Sequence, residues 1–89
     1  MVRRPVAMAG DDFSKTFAGV LKKHRVAQKI SQEQLAELAG LHPTYISLIE
    51  RGKRNPSIRV SHRVAGVLKI ELSALIKEAE SLDKKGGRP

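Results

Sequence analysis

Residues 32–51, QEQLAELAGLHPTYISLIER, constrain the fold of this chain more than any other stretch. Their apolar residues are spaced for two short helices. Leu35, Ala36 and Ala39 share one face of the first, and Ile46 and Ile49, at i and i+3, share one face of the second. Gly40 supplies the positive φ that a sharp helix exit requires, and Leu41 sits in the bend. Ala36 is small where the second helix has to cross closely. The second helix is therefore presented outward rather than buried.

The flanking residues complete an all-α chain of five helices. A first helix is expected from Asp12 or Ser14 to Gln28, with Phe13, Phe17, Val20, Leu21 and His24 facing the core at i, i+4, i+7, i+8 and i+11. Ser31 caps the second helix, and Gln34 three residues on makes a capping box. The third starts near His42, with Pro43 in its first turn, where a missing N–H costs nothing, and ends around Arg51 and Gly52. Residues 52–56 form a basic loop. Ser57 caps a fourth helix that ends near Lys69, with Ile58, Val64, Ala65 and Leu68 inward. Leu72, Leu75, Ile76 and Ala79 mark a fifth. Residues 1–11 read as a flexible arm, 12–83 as the domain and 84–89 as a disordered basic tail. No strand pattern and no repeat appears.

Charge narrows the function. The 89 residues, enough for one domain with a small core, carry 17 basic and 9 acidic side chains, a net charge of +8. Such a field favours polyanions, either nucleic acid or an anionic membrane surface. Its placement matters more. Behind the turn lie Arg51, Lys53, Arg54, Arg59 and Arg63 against the single acid Glu50, whereas the second helix holds Glu33 and Glu37 and no base. The absence of cysteine excludes a disulfide framework, a thiol nucleophile and a zinc finger. His24, His42 and His62 lack ligand spacing, so no metal is expected. No apolar run approaches the roughly 18 residues of a membrane span, and the N-terminus has no secretory apolar region. With only Phe13, Phe17 and Tyr45 as aromatics, single-strand binding by base stacking is disfavoured.

Residues 13–76 resemble the lambda repressor-like, Cro-type helix-turn-helix domains, also called the xenobiotic-response-element family. The match runs through Phe17, Leu21 and Arg25, through Ile30-Ser31-Gln32 and Leu35-Ala36, and through Ala39-Gly40-Leu41. It continues from Tyr45-Ile46-Ser47 through Ile49-Glu50-Arg51-Gly52-Lys53-Arg54-Asn55-Pro56-Ser57 to Ala65 and Leu68. The size and the Thr44-Tyr45-Ile46-Ser47 stretch look like the small restriction–modification controllers. The resemblance implies a bacterial or phage transcriptional regulator whose helix from 42 to 51 enters the major groove of double-stranded DNA.

Set opposite Ile46 and Ile49, the outward positions of that helix are His42, Pro43, Thr44, Ser47, Leu48 and Arg51. In the resembling family such positions reach base edges, which assigns base contacts to Thr44 and Ser47. Arg51 pairs with guanine or holds a phosphate. His42 fits as an N-cap, a phosphate ligand or a base contact, with the cap the simplest. Tyr45 fits equally as a phosphate donor and as a lid on the core. Gln32 is implied to contact a phosphate and brace the recognition helix, and Lys53, Arg54 and Asn55 to hold phosphates. Arg25 and Glu50 are implied to form a buried salt bridge joining the first helix to the end of the third.

Departures from the family pattern are also visible. Lys29 and Lys69 stand where glycine is common past helix ends, so either those turns form differently or strain is carried. His24 and Ser61 replace common leucines, thinning the core. Gly66 inside the fourth helix costs roughly 1 kcal/mol against alanine and admits close packing of another helix, such as one from a second subunit.

The expectation is thus a sequence-specific regulator, homodimeric on a pseudo-palindromic operator, acting in the cytoplasm at the nucleoid. With no ligand domain following, its dimer surface is expected at Val67, Ile70, Leu72, Leu75 and Ile76, the alternative being that all five serve the core of their own chain. No cofactor, small-molecule ligand or membrane partner is expected. The alternative is an adaptor or antitoxin that grips a protein with the same fold. Enzymatic activity is not expected, because no second carboxylate, nucleophile or phosphate-cradling loop accompanies Glu50.

Overall fold

Local signals decide where each helix begins and ends. The computed structural model describes the backbone of residues 6–87 and the side chains of residues 13–83. Its elements are α1 (Val6–Ala27), α2 (Gln32–Ala39), α3 (Pro43–Glu50), α4 (Ile58–Leu68) and α5 (Leu72–Gly87), with no strand among the described residues. Ser31 Oγ accepts from the Gln34 amide at 3.0 Å while Gln34 Oε1 accepts from the Ser31 amide at 2.8 Å, completing the capping box. Ser57 Oγ accepts from the Val60 amide at 3.0 Å and starts α4.

Four helices end in the same turn. The amides of Ile30, Leu41, Lys53 and Ile70 donate to the carbonyls of Arg25, Ala36, Leu48 and Ala65, each five residues back. Such a turn places the intervening residue in the left-handed region. Gly40 (φ 72) and Gly52 (φ 73) occupy it without strain, and Lys29 (φ 59) and Lys69 (φ 60) occupy it at roughly 1–2 kcal/mol each. The turns at the two lysines are therefore formed normally, and the strain is carried.

Two boundaries differ from expectation. Helix α1 begins at Val6 rather than at Asp12 or Ser14. No proline lies between Pro5 and Pro43, and the good helix formers Ala7, Met8 and Ala9 continue the helix past Gly10, which costs roughly 1 kcal/mol against alanine but does not break it. Helix α5 continues to Gly87, past the expected start of a tail at Lys84. Lysines near a helix C-terminus suit the helix dipole. Residues 1–5 of the expected arm and 88–89 of the expected tail lie outside the described residues.

The core draws on all five helices. Phe17, Val20 and Leu21 come from α1; Leu35, Ala36 and Ala39 from α2; Ile46 and Ile49 from α3; Val64, Ala65 and Leu68 from α4; and Leu75 and Ala79 from α5. Polar side chains tie the helix ends to it. Gln28 Nε2 donates to the Leu68 carbonyl at 2.8 Å, and Arg63 Nη1 donates to the Ala39 carbonyl at 3.4 Å, so the ends of α4 and α2 are both covered.

Two core assignments and one surface assignment need correction. His24 is not in the core: its Nε2 donates to Glu78 Oε1 at 2.8 Å, and Lys23 pairs with the other oxygen of the same carboxylate. A carboxylate on α5 has claimed the imidazole for the α1–α5 seam. Ile58 is 72 % exposed instead of inward. Periodicity turns it the right way, but it stands at the first residue of α4, on the rim of an open hollow beside buried Ser61, Phe13, Phe17 and Ile76. The small serine leaves that space unfilled. Leu75, expected at a dimer surface, is fully buried in its own chain and is not available to a second one.

The hydrogen bond from His24, followed by that from Lys23, holds the Glu78 carboxyl below its ordinary value of 4.5. A depressed carboxyl stabilises the fold above its unfolded value, and that contribution disappears as pH falls through the lower folded value. Denaturant midpoints of the wild-type chain and of Glu78→Gln are therefore expected to differ at pH 7 and to converge below about pH 4. A gap that persists undiminished into acid contradicts this role for the seam.

Candidate nucleic-acid interface

The third helix owes its orientation to one carboxylate at its C-terminal end. Glu50 Oε2 accepts from Arg25 Nε at 2.6 Å, and Glu50 Oε1 accepts from Arg25 Nη2 at 2.9 Å. Gln32 Nε2 donates to the same Oε1 at 2.9 Å, and Arg25 Nη1 reaches the Ile30 carbonyl at 2.7 Å. The Arg25 and Glu50 side chains are only 10 % and 3 % exposed, so this is a buried, bidentate pair. The ion pair implied by the resemblance is thus present, and Gln32 joins it. Together they fix α3 against the end of α1 and the start of α2.

Held in this way, α3 buries Ile46 and Ile49 and turns the opposite stripe outward. Thr44 and Arg51 are exposed, and Ser47 and Leu48 between them are half-buried. His42 is the N-cap: its Nδ1 accepts from the Thr44 amide at 3.1 Å, and Pro43 follows in the first turn. Tyr45 packs its ring on the core edge, with the Arg54 guanidinium 5.6 Å from the ring centroid. That contact folds residues 52–56 back beside α3. Lys53, Arg54 and Asn55 are all exposed there. Among the described residues, Arg51, Lys53 and Arg54 form no ion pair, so their charge is free for a polyanion.

Sequence reasoning missed one participant, and gave the bracing role of Gln32 without its partner. Lys15 of α1 lays its stem over Gly52, where an added Cβ would come within 3.1 Å of its Cγ. Its cation therefore adds to the loop. Only the fold brings a residue of α1 to this loop, and no spacing in the sequence announces it. The bond from Gln32 to Glu50, eighteen residues apart, is hidden for the same reason.

A helix-turn-helix family model matches residues 21–75, more than half of the chain. The chain belongs to the helix-turn-helix family. Among curated relatives, an immunity repressor protein of Bacillus phage phi105 is 43 % identical over 58 residues, covering 65 % of this chain but only 40 % of that protein. The control protein C.SmaI of Serratia marcescens is 35 % identical, covering 73 % of this chain and 77 % of its own. Among solved structures, the restriction–modification controller protein C.AhdI of Aeromonas hydrophila is 39 % identical with a TM-score of 0.67, covering 72 % of this chain and 96 % of that one. A variant of the controller protein C.Esp1396I is 28 % identical with a TM-score of 0.78, covering 84 % and 97 %. The all-α, five-helix fold and the family resemblance are both borne out. These relatives are named as repressors and controllers, in agreement with a non-enzymatic helix-turn-helix protein. No helix among the described residues is long and apolar enough to cross a membrane.

Removing one partner of a buried ion pair strands the other charge. Glu50→Ala is expected to lower the unfolding free energy by roughly 3–5 kcal/mol in urea titration, a large share of the roughly 5–15 kcal/mol of a domain. Replacing both partners (Arg25→Met with Glu50→Leu) is expected to recover most of it. A loss near the roughly 0–1 kcal/mol of a surface pair contradicts the buried arrangement.

Proposed function

We propose that this chain is a sequence-specific, double-stranded DNA-binding transcriptional regulator that sets α3 into the major groove. The observation that carries this reading is the outward stripe of Thr44, Ser47, Leu48 and Arg51 bordered by unpaired Arg51, Lys53 and Arg54. Short hydroxyl side chains bring the helix close to base edges. Thr44 and Ser47 then read bases, while Arg51 takes a guanine edge or a phosphate. Lys53, Arg54, Asn55 and the added Lys15 hold the backbone. Gln32 spends one N–H on Glu50 and keeps the other for a phosphate at the start of α2. Tyr45 offers its hydroxyl from the flank. The regulator acts in the bacterial cytoplasm, at the nucleoid.

One such domain covers half an operator, so the proposed state is a homodimer on two half-sites about one helical turn apart. Of the expected dimer residues, Ile76 is the one that lines the hollow under exposed Ile58, next to Pro56 at the end of the basic loop. The residues around that hollow are uncharged, which suits a surface that must meet its own copy across a two-fold axis. The loop leads from α3 directly to this patch, so contact there sets the separation of the two recognition helices.

Selection from a random duplex pool at physiological salt is expected to return a two-fold symmetric motif with half-sites near ten base pairs apart. Thr44→Ala and Ser47→Ala are expected to change its base preferences without unfolding the chain. An unchanged motif for both variants removes them from base readout. Arg51→Ala with Arg54→Ala is expected to flatten the plot of log K against log salt by about 0.9 for every phosphate that is no longer neutralised. Parallel slopes place these arginines off the backbone.

A further inference from the structure

Helix α4 has two sides that reach solvent, and the dimer patch uses one. Val67 lies nine residues beyond Ile58, about two and a half turns, and so on the opposite side of the helix. Leu38, 67 % exposed on α2, stands beside it. Together with Gly66, His62, Arg63 and Lys69 they line one shallow saddle. The saddle continues past Gly66 to Ile70 and Leu72 at the start of α5.

Gly66 has no reason within the chain. A Cβ added there would meet nothing within 4 Å, and its backbone is ordinary helix, yet glycine weakens a helix interior by roughly 1 kcal/mol. What the missing side chain provides is a low surface beside Leu38 and Val67, of the kind that lets another helix approach closely. The edges then select the occupant. Arg63 and Lys69 are the cations of these edges; among the described residues they form no ion pair, and Glu71 is the acid at the saddle's far end. A second copy docking across a two-fold axis would set these cations against themselves. An acidic helix would neutralise them.

We propose that the Gly66 saddle is a docking site for an amphipathic helix of a partner protein, its apolar stripe on Leu38, Gly66 and Val67 and its acidic flanks against His62, Arg63 and Lys69. No residue of α3 or of the basic loop lines the saddle, so the partner leaves the recognition helix uncovered. DNA and partner bind together, and the chain recruits the partner to whatever duplex it holds.

A displayed pool of helices tests this directly. Apolar positions at i, i+3, i+4 and i+7 vary among Leu, Ile, Val and Met, and every other position varies among Glu, Lys and Ala. Selection on the full chain is expected to enrich Glu over Lys. Binding of the enriched helices is expected to survive competition by duplex DNA and to shift the amide resonances of Leu38, Gly66 and Val67. Gly66→Leu fills the saddle at a position open to solvent and favours the helix. It is expected to weaken these helices by about tenfold or more while thermal stability and duplex binding are kept; Lys69→Glu is expected to weaken them likewise. Lack of enrichment overturns the proposal. So does enrichment of helices that duplex DNA displaces, which identifies them as mimics of DNA on α3. Concentration-dependent shifts at Leu38 and Gly66 in the free protein give the saddle to a second copy and also overturn it. Duplex binding by the Gly66→Leu chain reports separately on the reading of α3.

Discussion

The Glu50 carboxylate is the point on which the arrangement of this domain depends. Three hydrogen bonds converge on its two oxygens, from a guanidinium on α1 and an amide on α2, and Glu50 is itself the last residue of α3. An eight-residue helix gains little stability from its own hydrogen bonds. Its tilt must come from outside. Ile46 and Ile49 hold its inner face by packing, which resists separation more than rotation, whereas a bidentate pair fixes a direction. Apolar residues at positions 25 and 50 would make a comparable core and lose that directional constraint. The charge therefore serves geometry, and its effect is felt at the other end of α3, where Thr44 and the His42 cap sit.

The basic surplus of the chain divides by partner. Lys23 is neutralised by Glu78 across the α1–α5 seam, and Arg25 by Glu50 in the interior. Arg63 spends a donor on the exposed carbonyl end of α2. Of the remaining cations, Arg51, Lys53 and Arg54 stand beside α3, and Arg63 and Lys69 stand around the Gly66 saddle, while Lys22, Lys29, Arg59 and Lys77 are spread over the rest of the surface. A uniformly basic surface would point to nonspecific attraction alone. Two groups, each beside a specific shape, are what the proposals of a DNA face and a partner face rest on.

Much of this was legible in the sequence because it is local. Cap residues such as Ser31 and Ser57, the glycine turn at Gly40 and the spacing of Leu35, Ala36, Ile46 and Ile49 act within a few residues and give the same answer in the structure. Periodicity also set the outward stripe of α3. It failed where neighbours in space, not in sequence, decide. His24 fits the apolar face of α1 until Glu78 arrives from α5. Ile58 has the right angle for the core, but the core does not extend beneath it, because Ser61 is too small to fill the space. Leu75 fits by spacing both a core and a subunit surface, and only the packing of α5 on α1 resolves it. Lys15 and Gln32 reach the candidate interface through contacts that no spacing rule contains.

The two strained lysines show how little the turn type depends on the residue that occupies it. Gly40 and Gly52 flank the recognition helix, and both take the left-handed conformation freely. Lys29 and Lys69 adopt the same conformation at the ends of α1 and α4 because the surrounding bonds demand it: Arg25 and Gln28 bind backbone carbonyls on either side, and the next residues, Ile30 and Ile70, pack on the core. Strain is thus placed at the ends of α1 and α4, where several contacts hold it, and is absent from the two turns that flank α3. A short helix whose inner face is held only by packing, and whose outer face must stay unencumbered, has its direction fixed from its ends. The glycine turns and the Glu50 network meet that requirement at both.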